Sequence, residues 1–269
     1  MHMSSPLLGL RLPVAAVTIT AGIAIGAGLV LAACGSSGNS PGSAGSSPAA
    51  SSASHLASSS ASSSTSLASS STVPFPVGVG DTWTYKSTYG QTINKMTAVT
   101  PVSGGQQVTM TTTSTVLGST SQNAAYYVIN SDGSITLPFS QFNTTTSGTS
   151  IKLISGSLFW PPAAALAAGQ VSHSTLKIEF KADGVDQRVT AHVAVKGAGT
   201  QSVTVPAGTY TATVVDMTMS ETVEGITVGD TVTTWLAPGV GPVKSEAILD
   251  EAGTQHVAAE NQLVSFKAG

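Results

Sequence analysis

Ser174-Thr175-Leu176-Lys177-Ile178-Glu179-Phe180-Lys181 alternates at every step. Leu176, Ile178 and Phe180 fall on one side, Lys177, Glu179 and Lys181 on the other. A period of two is that of a strand with one face in a core and the other in water. Ala182-Asp183-Gly184 follows as a turn sequence, and Val189, Ala191, Val193 and Val195 then alternate through residues 188–196. Two long alternating strands around an Asp-Gly turn predict a β-hairpin.

The same signal recurs on both sides of this hairpin. Residues 73–81 are punctuated by Pro and Gly and lead into Thr82-Trp83-Thr84-Tyr85-Lys86, where Trp83 and Tyr85 share one side. A Thr-rich strand is predicted over 106–116, and a short apolar one over 125–129, closed by the turn sequence Asn130-Ser131-Asp132-Gly133. Residues 209–219, 227–235, 242–249 and 255–266 continue the series. Only 161–169 reads as helix, with Pro161 and Pro162 at its start and Gly169 past its end. There is no strand-helix-strand rhythm, which argues against a parallel sheet. The expected fold is mainly β: a single curved, half-barrel-like antiparallel sheet with at most one or two short helices. Phe75-Pro76 before the first strand and Trp160-Pro161 before 174–181 form a faint echo.

The N-terminal quarter has a different character. Arg11 is followed by an apolar run over 12–30, rich in Ala, Val, Ile and Gly, which ends in Leu31-Ala32-Ala33-Cys34. Charge, apolar segment and small residues in this order are the layout of an export signal. Leu31-Ala32-Ala33-Cys34 resembles the lipobox of bacterial lipoproteins. The resemblance implies cleavage before Cys34, a diacylglycerol thioether on its sulfur, and a signal peptide over 1–33. The alternatives are an uncleaved anchor, since about 20 apolar residues can span a bilayer, or an ordinary buried cysteine. With either anchor Arg11 stays inside and the bulk of the chain goes out, so the expected location is extracytoplasmic, at the bacterial cell membrane. Residues 34–72 form the lipidated Cys and a linker. Half of 35–72 is Ser, and Leu56 and Leu67 are its only larger apolar residues. Such a segment cannot bury enough apolar surface to offset its ordering entropy. As a flexible coil it reaches roughly 35 Å. Residues 73–269 are the expected β domain.

Formal net charge is −3, and without Arg11 nine Lys and Arg stand against thirteen Asp and Glu, giving −4. No Lys/Arg cluster exists, so a nucleic-acid partner is excluded. Charged residues make up only 9% of the chain, which leaves Thr and Ser to cover the surface. Cys34 is the single cysteine, so neither an intramolecular disulfide nor a Cys-based metal site is available.

Three turn-like motifs are Gly80-Asp81-Thr82-Trp83-Thr84-Tyr85, Val205-Pro206-Ala207-Gly208-Thr209-Tyr210, and Trp235-Leu236-Ala237-Pro238-Gly239-Val240-Gly241-Pro242-Val243-Lys244. Their prolines and glycines suit tight turns between strands. Together, in this order, they resemble a group of uncharacterised exported bacterial proteins, itself similar to the half-barrel lipoproteins of the LolA/LppX type. That resemblance implies a curved sheet around an apolar cavity and carries over no catalytic residue.

The chemistry-bearing residues are sparse. His173 and His192 sit on the polar side of their strands, and His256 beside Glu260 and Gln262. No His-x-His or His-x-x-x-His pair occurs, and no Gly-x-Ser-x-Gly elbow. Asp216, Glu221, Glu224 and Asp230 gather near later turns, where solvated charges are the ordinary explanation. Asp216 shares parity with Tyr210, Ala212 and Val214 and is expected to face inward with a partner. Val214 and Val215 face opposite ways, and Met217 and Met219 extend the second set; Met suits irregular apolar ligands. The expected function is a non-enzymatic, membrane-anchored lipoprotein without metal or cofactor. Its sheet would bind a lipid or other apolar ligand through Trp83, Tyr85, Trp160, Met219 and Trp235. The alternative is a module that engages another envelope protein or the cell wall.

Overall fold

The computed structural model describes residues 76–88, 90–116, 118–137, 144–146, 149–182, 185–223, 226–251 and 254–269. Cys34, the signal and linker, residues 73–75, His2, His55 and Glu224 lie outside them, as does the side chain of His256.

The described strands are β1 (Thr82–Ser87), β2 (Gly90–Val102), β3 (Gly105–Val116), β4 (Ser119–Asn130), β5 (Ile135–Leu137), β6 (Thr144–Thr146), β7 (Thr149–Ser155) and β8 (Leu158–Trp160), then, after helix α1 (Ala163–Ala167), β9 (Val171–Ala182), β10 (Val185–Val205), β11 (Gly208–Val223), β12 (Ile226–Ala237), β13 (Gly241–Glu251) and β14 (Thr254–Lys267). They form one antiparallel sheet in the order β6-β7-β9-β10-β11-β12-β13-β14-β1-β2-β3-β4-β5-β8. The expected fold class is therefore found. Short connections between successive strands force neighbours to pair antiparallel, and two meanders result, β1 to β4 and β9 to β14. They join where β14 pairs with β1, with Leu263 opposite Tyr85.

The sheet does not close into a barrel, but it curls until its ends approach. Between β7 and β8 the chain turns at Gly156, whose φ is +102°. β7 pairs with β9, whereas β8 pairs with β5 at the opposite edge. No ladder joins β8 to β9. Instead the Phe159 backbone N–H donates to Ser174 Oγ at 3.1 Å, and the Ser172 hydroxyl donates to Phe159 O at 3.3 Å.

Curling places one face inward, and the core lies there. Trp83, Tyr85, Met96, Val108, Tyr127, Ile135, Trp160, Leu176, Val195, Met217, Val243 and Leu263 belong to a single buried cluster. α1 packs on β10 and β11 and contributes buried Leu166. Gly197 permits this approach, since a Cβ there would overlap the Leu166 carbonyl oxygen. The helix is shorter than 161–169 because Pro162, with extended backbone, is its N-cap and accepts its first bond, from the Leu166 N–H at 3.1 Å.

Asp216 does not face inward as expected. A register shift between Gly197 and Thr200 in β10 lies opposite Thr213 to Val215. Beyond it the inward set is Val215 and Met217. Asp216 is half-buried and accepts a hydrogen bond from the Thr233 hydroxyl at 2.8 Å.

Candidate functional site

The aromatic residues expected to line a cavity are mostly spent on the fold. Trp83 is 3% exposed, stacks on Phe266 with centroids 5.2 Å apart, and donates its indole N–H to Val240 O at 2.6 Å. Tyr85 is 2% exposed and donates its hydroxyl to Pro242 O at 2.9 Å; burial pushes that hydroxyl's pKa far above the ordinary tyrosine value. The first and third motifs thus meet in space. The second joins them, because the Ala207 N–H donates to Leu263 O at 3.0 Å. Trp160 lies in the same core, opposite Ile135, and its indole N–H has no partner among the described residues. Met219 is half-buried, paired with Val193 and Asp230. Trp235 alternates away from buried Thr234 and Leu236; its N–H donates to Gln201 Oε1 at 3.1 Å, and Lys244 Nζ stands 5.0 Å from its ring centroid. The sequence-predicted set is therefore three residues within the core and two at its margins.

His173 and His192 are exposed strand residues, as their parity predicts. Among the described residues no group of three or more His, Cys, Asp or Glu is placed to hold a metal.

The inner face changes character away from the core. On β2, Asn94 and Thr92 lie directly opposite Trp83 and Tyr85. Register then carries this polar zone across the sheet: Thr92 to Ser114 to Ser121, and Asn94 to Thr112 to Asn123, on β2, β3 and β4. In the other direction Ser87 pairs with Asn261, Asn261 with Ser245, and Ser245 with Thr234. These side chains share the face of Tyr85, Leu263 and Val243, yet all are small hydroxyls or amides. Asn94, Thr92, Thr234, Ser245 and Ser114 are buried, Thr112, Ser87 and Asn261 half-buried, and Ser121 and Asn123 exposed. The belt therefore opens to solvent at β4.

Its internal bonding is incomplete. The Thr112 hydroxyl donates to Asn94 Oδ1 at 2.7 Å, Thr92 and Ser114 stand 3.4 Å apart, and Asn261 Nδ2 donates to Ser245 Oγ at 3.3 Å. Asn94 Nδ2, wholly buried, has no partner among the described residues. Burying an unpaired polar group costs free energy, so packing alone gives no reason for Asn at this position. Farther along the inner face, Glu221 is 8% exposed and its Oε2 also lacks a partner. Burial, and then the nearby charge of Asp230, raise the Glu221 pKa; burial raises that of Asp230. No hydropathy signal in the sequence marks the belt, because on β2 and β4 its members are as polar as the residues of the outer face. A search for apolar or titratable clusters passes over it.

An open, curled antiparallel sheet with an apolar core at one end and a polar inner face beyond defines the class of protein. The chain belongs to the DUF3108-like family, whose model matches residues 83–254. No curated protein matches it by sequence. Two crystal structures share the fold. One is described as "a putative lipoprotein" from Parabacteroides distasonis ATCC 8503; it is 18% identical, with TM-score 0.53 over 73% of this chain and 99% of that one. The other is described as "a putative exported protein with YmcC-like fold" from Bacteroides fragilis NCTC 9343; it is also 18% identical, with TM-score 0.50 over 72% and 98%.

Proposed function

We propose that this chain is an exported, non-enzymatic lipoprotein, tethered through Cys34 and the 35–72 linker, whose β domain engages a polar partner in the cell envelope. The lipobox-like Leu31-Ala32-Ala33-Cys34 and the descriptions of the two structural neighbours support export and tethering. The observation that carries the choice of partner is the inner face. From β12 round to β4 the inner face beyond the core carries hydroxyls and amides, and farther along it the carboxylates of Glu221 and Asp230, while Trp83, Tyr85 and Trp160 are packed away. A lipid carrier needs an accessible apolar lining, and here such a lining would require those aromatics to leave the core.

Two experiments test this reading. Cells fed an alkyne analogue of palmitate should label the protein, and Cys34→Ser should abolish the label; a label that persists would contradict the tether. A photo-cross-linking amino acid at exposed Asn123, on the inner face, should give adducts with an envelope macromolecule, whereas one at exposed His173 should not. Absence of any adduct at Asn123 would contradict the module.

A further inference from the structure

The geometry points to the outer face of β7, β9 and β10 as the surface that lies on the anionic lipid headgroups of the membrane holding the chain. This deepens the tethered-lipoprotein reading and rests on it. Nine Lys and Arg follow Cys34 in the chain. Register gathers five of them here: Lys152 opposite Glu179, Glu179 opposite Arg188, Lys181 opposite Asp186, with Lys177 and Lys196 on the same side of their strands. Against them stand Glu179, Asp186 and, in the turn outside the described residues, Asp183. The other four cations share the rest of the chain with ten of the thirteen carboxylates.

Two of the five are already committed. Lys181 Nζ stands 2.9 Å from Asp186 and 3.7 Å from Glu179, and Arg188 Nη2 stands 3.2 Å from Glu179. Lys152, Lys177 and Lys196 are exposed and have no ion pair among the described residues. Asp216 lies across the ladder from Lys196, but its carboxylate accepts from the Thr233 hydroxyl instead. Three free lysines are too few for a nucleic acid, which demands more phosphate contacts. Near an anionic leaflet each is worth about fivefold in attraction. Apolar company selects a membrane over a soluble anion. Val171 is 46% exposed and directly opposite Lys196. Ile154 is 41% exposed, at the β7 irregularity beside Ser155, whose partner is Lys177. Aliphatic side chains beside lysines, whose own stems are apolar, suit the boundary between headgroups and acyl chains. A soluble polyanion would leave those aliphatics in water. From Val171 to Lys181 the face runs roughly 33 Å along β9, long enough to lie flat. The tether keeps the chain at the bilayer, and this face sets how the sheet lies on it.

The test reconstitutes the full chain into vesicles of phosphatidylcholine, with or without phosphatidylglycerol. A photo-cross-linking amino acid is placed at exposed Thr190, opposite Lys177, or at exposed Thr100 on β2, far from β9 in the strand order. With phosphatidylglycerol present, lipid adducts at Thr190 should exceed those at Thr100 several-fold. The excess should vanish in pure phosphatidylcholine or at high salt. Lys152→Gln, Lys177→Gln and Lys196→Gln together should bring Thr190 down to the Thr100 level with no change in melting temperature, since all three positions are exposed. Lys152→Arg, Lys177→Arg and Lys196→Arg together should keep the excess. Equal yields at the two positions on anionic vesicles, or an excess that survives the glutamine variant, would overturn the proposal. Macromolecular adducts at Thr190 in cells, in place of lipid-sized ones, would also overturn it and assign the face to an anionic wall polymer. An excess at Thr190 without any palmitate label at Cys34 would remove the acyl tether and leave the membrane-facing surface standing.

Discussion

Trp83 and Tyr85 hold the 239–242 turn against the sheet, each through one hydrogen bond to a backbone carbonyl. If that is their role, Tyr85→Phe should cost about 1–2 kcal/mol in urea unfolding, because Pro242 O is left buried and unpaired. Trp83→Ala should cost roughly 3–5 kcal/mol by opening a cavity. An exposed ligand contact would change stability little. Glu221 predicts the opposite sign. Its pKa is raised in the folded chain above an unfolded value near about 4.3. The stability it contributes is thus present below that unfolded value and lost as pH rises through the folded pKa. Glu221→Gln should be more stable than wild type at pH 7, on the order of 1 kcal/mol, and the gap should close below about pH 4. A gap independent of pH would contradict the assignment. At this scale the sequence was readable for burial: Leu176, Ile178, Val193 and Val195 are in the core as their alternation predicts. It was misleading for Asp216, because that reading took its face from Val214, which pairs with Trp235 on the face opposite Val215 and Met217.

Among the elements, legibility followed the chemistry of the inner face. The β9–β10 hairpin was readable because its inner residues are aliphatic and several outer ones charged. β2 was missed, and β4 was recognised only from Ala125 onward. In β2 the inner positions Thr92 and Asn94 are as polar as the outer ones, and in β4 so are Ser121 and Asn123, so the period-two hydropathy signal vanishes. The feature that hid these strands is the candidate site itself. α1 and the β8–β9 seam depend on close approach. Gly197→Ala should push α1 off the sheet and cost several kcal/mol, seen as faster hydrogen exchange across Ala163–Ala167 and the facing part of β10. Unchanged exchange there would contradict the packing. Ser174→Ala removes the acceptor for the Phe159 N–H. It should speed exchange at β8 more than at β3, and equal effects would mean that the seam is not held by that bond.

For the molecule as a whole, the tether and the sheet make separate demands. An export signal and a Ser-rich linker are compositional features, legible without any fold. Which face meets a partner is a property of register across seven strands, and no single stretch of sequence contains it. The three motifs that resemble exported half-barrel lipoproteins turned out to be joints of the sheet, which explains why they speak to fold and not to ligand. Whether the inner face carries lipid is decided most directly by native mass spectrometry of the Cys34→Ser full chain, recovered from a membrane-containing host so that no covalent acyl group confuses the mass. The account predicts the mass of the polypeptide alone across independent preparations. A co-purifying lipid-sized mass, released when Trp83 or Trp235 is replaced by a polar residue, would contradict it and restore the apolar carrier.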